Sequence, residues 1–249
     1  MEKITISGSK ADIALESPVF KNWLKNIEDA RLTLRAVHFQ AVDIVGSAEQ
    51  PRVLFIKLHA TIFDKDENPL PGSIFLRGGA VTILEILNCA DEEYCILTLQ
   101  PRVPVGSLAL PELPAGMLDG SNNFSGTAAR ELKEEAGIMI KTDDLFDLTE
   151  AVYGTRWPGV YPSPGGCDEF LRIFLDYRYV TRKVLLDLQG KLTGLAEEHE
   201  HIVLKVIPLS RLVSEAPDAK ALSALALYNT IKDQGKLNSY LRTRRCASI

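Results

Sequence analysis

Three glutamates close together, Glu131, Glu134 and Glu135 in FSGTAARELKEEAG, are the residues of this 249-residue chain whose types and spacing point most directly to chemistry. The stretch is the only strongly helical segment in the middle of the sequence, and Gly137 stands where a left-handed C-cap would end it. With about 100° per residue and Glu131 at zero, Glu134 falls near −60° and Glu135 near +40°, so three carboxylates share one narrow face. Ala128, Leu132 and Ala136 fall at about 60–140° and form the buried stripe, and Arg130 is placed beside Glu134 as an i,i+4 pair. Like charges crowded on one face are unfavourable unless a cation binds them; without such a cation the string reads as a solvated acidic face. Oxygen ligands alone suit Mg²⁺ or Mn²⁺, which prefer octahedral coordination and keep several waters. Such ions clamp diphosphate oxygens and activate water, so the face points to phosphoanhydride hydrolysis.

The flanking sequence must supply the elements that hold this helix. Ser17-Pro18 before VFKNWLKNIEDA predicts a capped helix, with serine accepting from the first turn and proline at the first helical position. Phe20, Trp23, Leu24 and Ile27 follow at helical spacing, which makes Trp23 a packing residue. LTLRAVHFQAVDIV and RVLFIKLHATIF, separated by GSAEQP, predict an antiparallel pair. The polar, proline-broken stretch from Asp64 to Gly72 is the best boundary candidate, and it divides the chain into a helix- and β-rich domain over 1–75 and a second domain over 76–249. Beyond it, AVTILEIL and CILTL predict a hairpin around NCADEE. EFLRIFLDY and HIVLKVI predict further strands, DAKALSALALYNTIKD a closing helix, and LRTRRCASI a basic, frayed tail. Strands mixed with two or three helices, without βαβ regularity or internal repeats, predict an α+β fold with a mixed sheet.

Composition narrows the function. A chain that is 46% hydrophobic and 24% charged is globular in type. Its 28 Lys and Arg against 33 Asp and Glu give a net charge of −5, which disfavours a sequence-independent nucleic-acid binder. The expected partners are small molecules, including anionic ones whose charge a metal offsets. No apolar run reaches the roughly 18 residues of a membrane span. The start, MEKITISGSKADIALESP, has no apolar core and carries acids at Glu2 and Asp12, so it reads as neither a secretory signal nor a transit peptide. Cys89, Cys95, Cys167 and Cys246 show no paired CxxC spacing. This argues against a disulfide scaffold or structural zinc and for a reducing intracellular compartment. Cys89 and Cys95 flank the predicted hairpin turn as small hydrophobes.

Gly116, then five residues, Asn122, then seven residues, and Arg130-Glu131-Leu132-Lys133-Glu134-Glu135-Ala136-Gly137-Ile138 resembles the Nudix box of the Nudix hydrolases, G-x5-E-x7-REUxEExGU with U aliphatic. Asn122 is the one departure, standing at the first glutamate of the box. The resemblance implies a mixed-sheet α/β/α sandwich. Glu112 to Gly116, ELPAG, is similar to the E-x-x-A-G segment of the ADP-ribose and nucleotide-sugar pyrophosphatases, whose alanine carbonyl is a metal ligand, here Ala115. Gln100-Pro101-Arg102 is similar to their Q-x-R, whose arginine contacts the diphosphate. Ser163-Pro164-Gly165-Gly166 resembles their S-P-G turn, which on its own is simply a loop. Gly194 to Ile202, GLAEEHEHI, is similar to their acidic loop carrying the general base, with Glu198 the best match, Glu200 next and Glu197 third. Apart from the resemblance, EEHEH is a solvated loop, and His199 and His201 without cysteine do not suggest zinc.

That branch-level resemblance covers residues 76 to 210. It implies that Glu131, Glu134, Glu135 and the Ala115 carbonyl hold Mg²⁺ or Mn²⁺, with Glu112 assisting. Glu134, Glu135 and Glu198 are the implied catalytic residues, and Arg102, Glu112, Gly116 and Trp157 the implied substrate side. For the adenine, the aromatic candidates are Phe39, Tyr153, Trp157 and Tyr161, of which Trp157 sits in a loop. In such relatives a small N-terminal β-domain builds an intertwined homodimer that completes the substrate site, which is the expectation for residues 1–75. The lead-in helix and WPGVYPSPGG look most like plant plastid ADP-sugar diphosphatases, which release AMP and a sugar phosphate from ADP-glucose and ADP-ribose. A mature form in the chloroplast stroma follows, with the cytoplasm as alternative. UDP-glucose, NADH or a CoA ester as substrate, and a nucleotide-sugar sensor favoured only by Asn122, stand as rival readings.

Overall fold

Ser17 caps its helix as the sequence predicts: its hydroxyl accepts from the Phe20 N–H at 3.3 Å, with Pro18 at the first position. The structure is a computed structural model that describes residues 4–47, 51–118, 123–194 and 201–246. It divides into two units, residues 1–79 with 163–170, and residues 80–162 with 171–249.

In the first unit β1 (Thr5–Gly8), α1 (Ala11–Glu16) and α2 (Pro18–Asp29) precede the long strands β2 (Thr33–Gly46) and β3 (Pro51–Phe63), followed by β4 (Pro69–Leu70) and β5 (Ser73–Leu76). β2 and β3 pair antiparallel as expected, β1 joins β2 in parallel, and β4 and β5 both return onto β3. Phe20 and Trp23 are buried with Phe39, ring centroids 5.2 Å apart for Phe20 and Phe39, so the apolar stripe of α2 packs on this sheet. The Asp64–Gly72 loop lies inside this unit. The Asp64 carboxylate accepts from the N–H groups of Asp66 and Asn68, at 2.8 and 2.9 Å, and closes the loop on itself. The segment 163–170 is tied in by Asp168, whose carboxylate accepts from the N–H groups of Arg77 and Gly78 at 2.7 and 3.1 Å.

The second unit starts from the expected hairpin, β6 (Ala80–Cys89) and β7 (Glu92–Arg102), turned by Ala90 and Asp91 at φ 52° and 66°. Two left-handed residues in a two-residue loop match the right-handed strand twist. The strands pair only from Ile86–Cys89 to Glu92–Cys95 and then separate. Into the gap run β8 (Ser107–Glu112), paired with β7, and β9 (Ala115–Met117), paired with β6. Two wholly buried threonines pin this wedge: Thr82 Oγ1 donates to the Pro114 carbonyl at 2.9 Å and Thr98 Oγ1 to the Glu112 carbonyl at 3.4 Å.

The rest of the unit is α3 (Phe124–Ala136), β10 (Phe146–Asp147), α4 (Leu148–Tyr153), β11 (Leu171–Tyr179), α5 (Arg182–Leu188), β12 (Leu192–Thr193), β13 (Ile202–Pro208), α6 (Leu212–Glu215), α7 (Ala219–Asp233) and α8 (Asn238–Cys246). The sheet runs β10-β11-β6-β7-β13-β12, with β11 parallel to β6 and the other pairs antiparallel. Leu84, Ile86 and Leu97 face a core shared with Leu148 of α4 and with α7, while α3 lies over Val81 and Ile83 on the opposite face. The fold is therefore mixed α+β, as expected. Cys95 is wholly buried in that core, where burial pushes its thiol up to about 12, and Cys89, Cys95 and Cys167 are free thiols. Among the described residues no helix is long and apolar enough to cross a membrane.

The tail departs from expectation. As far as Cys246 it forms α8 rather than fraying, and there Arg244 reaches a buried acid: its Nη2 lies 2.8 Å from Asp176 Oδ1, and its Nε donates to the Tyr177 carbonyl at 3.0 Å. Asp176 on β11 sits directly beside Glu85 on β6, both fully buried. Arg178 Nε is 2.5 Å from Asp176 Oδ2 and 3.2 Å from Glu85 Oε1, but neither Glu85 oxygen receives a hydrogen bond. Burial first, and the Asp176 charge second, hold Glu85 protonated well above the usual carboxylate range. The folded state thus keeps a proton that the unfolded chain releases, and this contribution to stability is lost as pH rises through the raised folded pKa. Above the ordinary carboxylate range, thermal midpoints of the wild type are expected to fall with rising pH more steeply than those of Glu85→Gln, which is neutral throughout. Parallel slopes would show that Glu85 is charged in the fold.

Candidate active site

The carboxylate helix is fixed at both ends by side chains. The Asn123 side chain accepts from the Gly126 N–H at 3.0 Å, and a Cβ on Gly126 would meet the Asn123 amide at 2.1 Å. At the other end Gly137 takes φ 66°, the left-handed cap the sequence predicts. Two of the last carbonyls are satisfied from β12 and the residue after it: the Thr193 hydroxyl donates to the Glu135 carbonyl and the Gly194 N–H to the Glu134 carbonyl, the latter at 3.3 Å. Ala128, Leu132 and Ala136 are wholly buried, as the helical arithmetic requires.

Small residues under the helix bring its acidic face close to β9. A Cβ on Gly116 would stand 1.9 Å from the Glu131 carboxyl carbon, so only glycine leaves room for that side chain. Glu131 also accepts from Arg130 Nη2 at 3.2 Å, so Arg130 engages its neighbour in sequence rather than Glu134. Glu135 is 6% exposed; its Oε2 accepts from the Ala115 N–H at 2.9 Å and its Oε1 from Gln100 Nε2 at 3.2 Å. Burial, reinforced by Glu131, pushes Glu135 up to about 7 against the pull of those two hydrogen bonds. Glu134 is half-buried on the same helix.

Arg102 stands opposite Ser107 beside the β7–β8 turn and Glu112 opposite Thr98 at the other end of the hairpin, and their side chains meet between, Arg102 Nε 2.5 Å from Glu112 Oε2. The other oxygen of Glu112 is taken by Lys220 of α7 at 2.8 Å. Sequence reading missed Lys220, which lies 108 residues from Glu112. Its only local signal was its place in the first turn of α7, where the N-cap Asp218 accepts from its N–H and, at 3.1 Å, from its Nζ. Gln100, Arg102, Glu112, Ala115, Gly116, Glu131 and Glu135 are thus linked, pair by pair, around the β8–β9 wedge.

Trp157 packs elsewhere, edge-on to Tyr161 with centroids 6.1 Å apart and under the Arg156 guanidinium. It is 45% exposed, and Tyr153 and Tyr161 are also partly exposed. Phe39 is 1% exposed within the first unit's core, so it offers no free face to a base, a correction to its candidacy. Asn122, Glu197, Glu198, His199 and Glu200 lie outside the described residues.

The donor set of α3 and the ELPAG turn, carboxylates and a carbonyl, fits a hard divalent cation in chemistry, and a buried carboxylate beside a second one is the kind of group such a cation stabilises. Among the described residues no three His, Cys, Asp or Glu side chains already converge into a ligand shell, since Glu131 is turned to Gly116 and Arg130 and Glu135 to Ala115 and Gln100.

A mixed sheet with a splayed central hairpin thus holds a carboxylate helix against the wedge that enters it. Residues 76–226 match the NUDIX domain, and the chain belongs to the Nudix hydrolase family. It is 42% identical to Nudix hydrolase 14, chloroplastic, of Arabidopsis thaliana, over 94% of this chain and 77% of that one. It is 31% identical to an ADP-ribose pyrophosphatase of Bacillus subtilis (strain 168), over 63% of this chain and 76% of that one. Among solved structures, an ADP compounds hydrolase shares the fold with a TM-score of 0.51 at 21% identity, over 82% of this chain and 98% of that one.

Gly116→Ala tests the close approach. The added methyl must displace the Glu131 side chain, not the backbone, so the thermal midpoint is expected to change little while hydrolytic turnover falls about 10²-fold, the scale of a misplacement near 1 Å. Wild-type turnover in this variant would show that Glu131 is not held where the reaction needs it.

Proposed function

We propose that the protein hydrolyses the diphosphate bond of ADP-sugars, ADP-glucose and ADP-ribose, to AMP and a sugar phosphate. The observation that carries this reading is the hydrogen bond from the Ala115 N–H to Glu135, which joins the ELPAG turn of the nucleotide-sugar branch to the carboxylate helix. The name of the Bacillus relative, an ADP-ribose pyrophosphatase, supports the substrate class. Glu131, Glu134, Glu135 and the Ala115 carbonyl would hold Mg²⁺ or Mn²⁺. When bound, the ion supplies charge neutralisation at the phosphoryl oxygens and acidifies water.

The chain's own residues supply the rest. Glu198 takes the proton of the attacking water as its oxygen bonds to phosphorus, and the bridging P–O bond breaks to release the second phosphate. The flank of that loop supports this assignment, since the Gly194 N–H is bonded to the end of α3. Arg102, with Nε committed to Glu112, directs its terminal N–H groups to the phosphate that is not attacked. Trp157 stacks on the adenine. The first unit assembles two chains into a dimer, and the plastid is the working compartment, a reading supported by the chloroplastic relative.

Product analysis after incubation with Mg²⁺ and, separately, ADP-glucose, ADP-ribose, UDP-glucose and NADH tests this directly. AMP plus a sugar phosphate from the two ADP-sugars, faster than any product from the others, is expected. Preferential cleavage of UDP-glucose or NADH would overturn the substrate, and tight binding without turnover would make the protein a sensor with Asn122 as the cause. Glu134→Gln and Glu135→Gln are each expected to remove most turnover with the fold intact. Glu198→Gln should lower kcat by about 10²–10⁴-fold. Damage from Glu200→Gln instead would move the base two residues along the loop.

A further inference from the structure

We propose that Lys220 is a positioning residue for diphosphate binding, acting through Glu112 on Arg102; the inference rests on the reading of Arg102 as the phosphate ligand. Arg102, Glu112, Lys220 and Asp218 form a chain of alternating charge, with contacts of 2.5, 2.8 and 3.1 Å. The Glu112 side chain, 6% exposed, gives one oxygen to each cation. Arg102 uses only its Nε for this contact and its side chain stays 40% exposed, so its two terminal nitrogens are available on the open side. Guanidinium and carboxylate otherwise prefer a bidentate fork, which would draw a terminal nitrogen of Arg102 inward. Lys220 holds Oε1, the oxygen that such a fork would share, and competes with Arg102 for it.

Charge acts in the same direction. Glu112 by itself would offset the attraction of Arg102 for an anion, and Lys220 takes up part of that negative charge at short range in a poorly solvated place. Lys220 is itself held firmly, with Asp218 capping α7 and accepting from both its N–H and its Nζ. Its side chain is 15% exposed, so it acts on Glu112 rather than as a mobile surface cation. Glu112 accordingly serves the substrate through Arg102.

Steady-state kinetics on ADP-ribose and ADP-glucose with saturating Mg²⁺, for Lys220→Met, Lys220→Arg, Arg102→Ala and the Lys220→Met/Arg102→Ala pair, test this, with thermal midpoints recorded for each. Lys220→Met is expected to raise KM about tenfold with kcat changed much less, the scale of one hydrogen bond to a charged group. Lys220→Arg should recover most of the loss, and Lys220→Met should add little to Arg102→Ala, because both act at one point. A KM unchanged in Lys220→Met while Arg102→Ala raises it would overturn the positioning role, as would equal, additive losses in both backgrounds or a fall in thermal midpoint alone. An unchanged KM in Arg102→Ala would overturn the reading of Arg102 itself, a separate result.

Discussion

Glu135 has its carboxylate almost wholly withdrawn from water and yet receives two hydrogen bonds, from the Ala115 N–H and from Gln100. Burial of such a group is tolerated only when its charge is answered, and here the answer is incomplete, since Glu135 titrates near 7 rather than in the usual range. The remainder of the second unit is organised around that contact. The hairpin β6–β7 separates to admit the wedge, the buried hydroxyls of Thr82 and Thr98 hold it, and glycine at 116 lets Glu131 settle against it.

Much of this was legible in the sequence because it is local. The Ser17-Pro18 cap, the Gly137 cap, the hairpin around NCADEE and the buried Ala128-Leu132-Ala136 stripe each follow from a few neighbouring residues and a helical or strand period. The three glutamates on one face follow from the same arithmetic. The turn that Glu135 holds was legible only through the ELPAG motif, since nothing in composition says that Ala115 faces it.

What was not legible depends on residues far apart in sequence. Arg244 reads as one cation in a basic tail until the fold presents the buried Asp176, which it reaches from α8 as a second partner beside Arg178. Lys220 reads as a polar residue on an alanine- and leucine-rich helix until β8 brings Glu112 beneath it. Phe39 looks like one more aromatic until α2 covers it with Phe20. Arg130 has two acids within reach on its own helix, and helical spacing alone selected Glu134 where the fold selects Glu131. Likewise Ser163 to Gly166 is a recognisable turn, but its place in the first unit is set by the neighbouring Asp168 and the N–H groups of Arg77 and Gly78.

Titration of Mn²⁺ into the metal-free protein, with free ion read by electron paramagnetic resonance, tests whether the acidic face of α3 with the ELPAG turn is the divalent-cation site. The wild type is expected to take up the ion with saturation, and the Glu131→Gln/Glu135→Gln double variant, with its circular dichroism unchanged, to leave it free over the same range. Equal Mn²⁺ uptake by the folded double variant would show that the cation binds elsewhere.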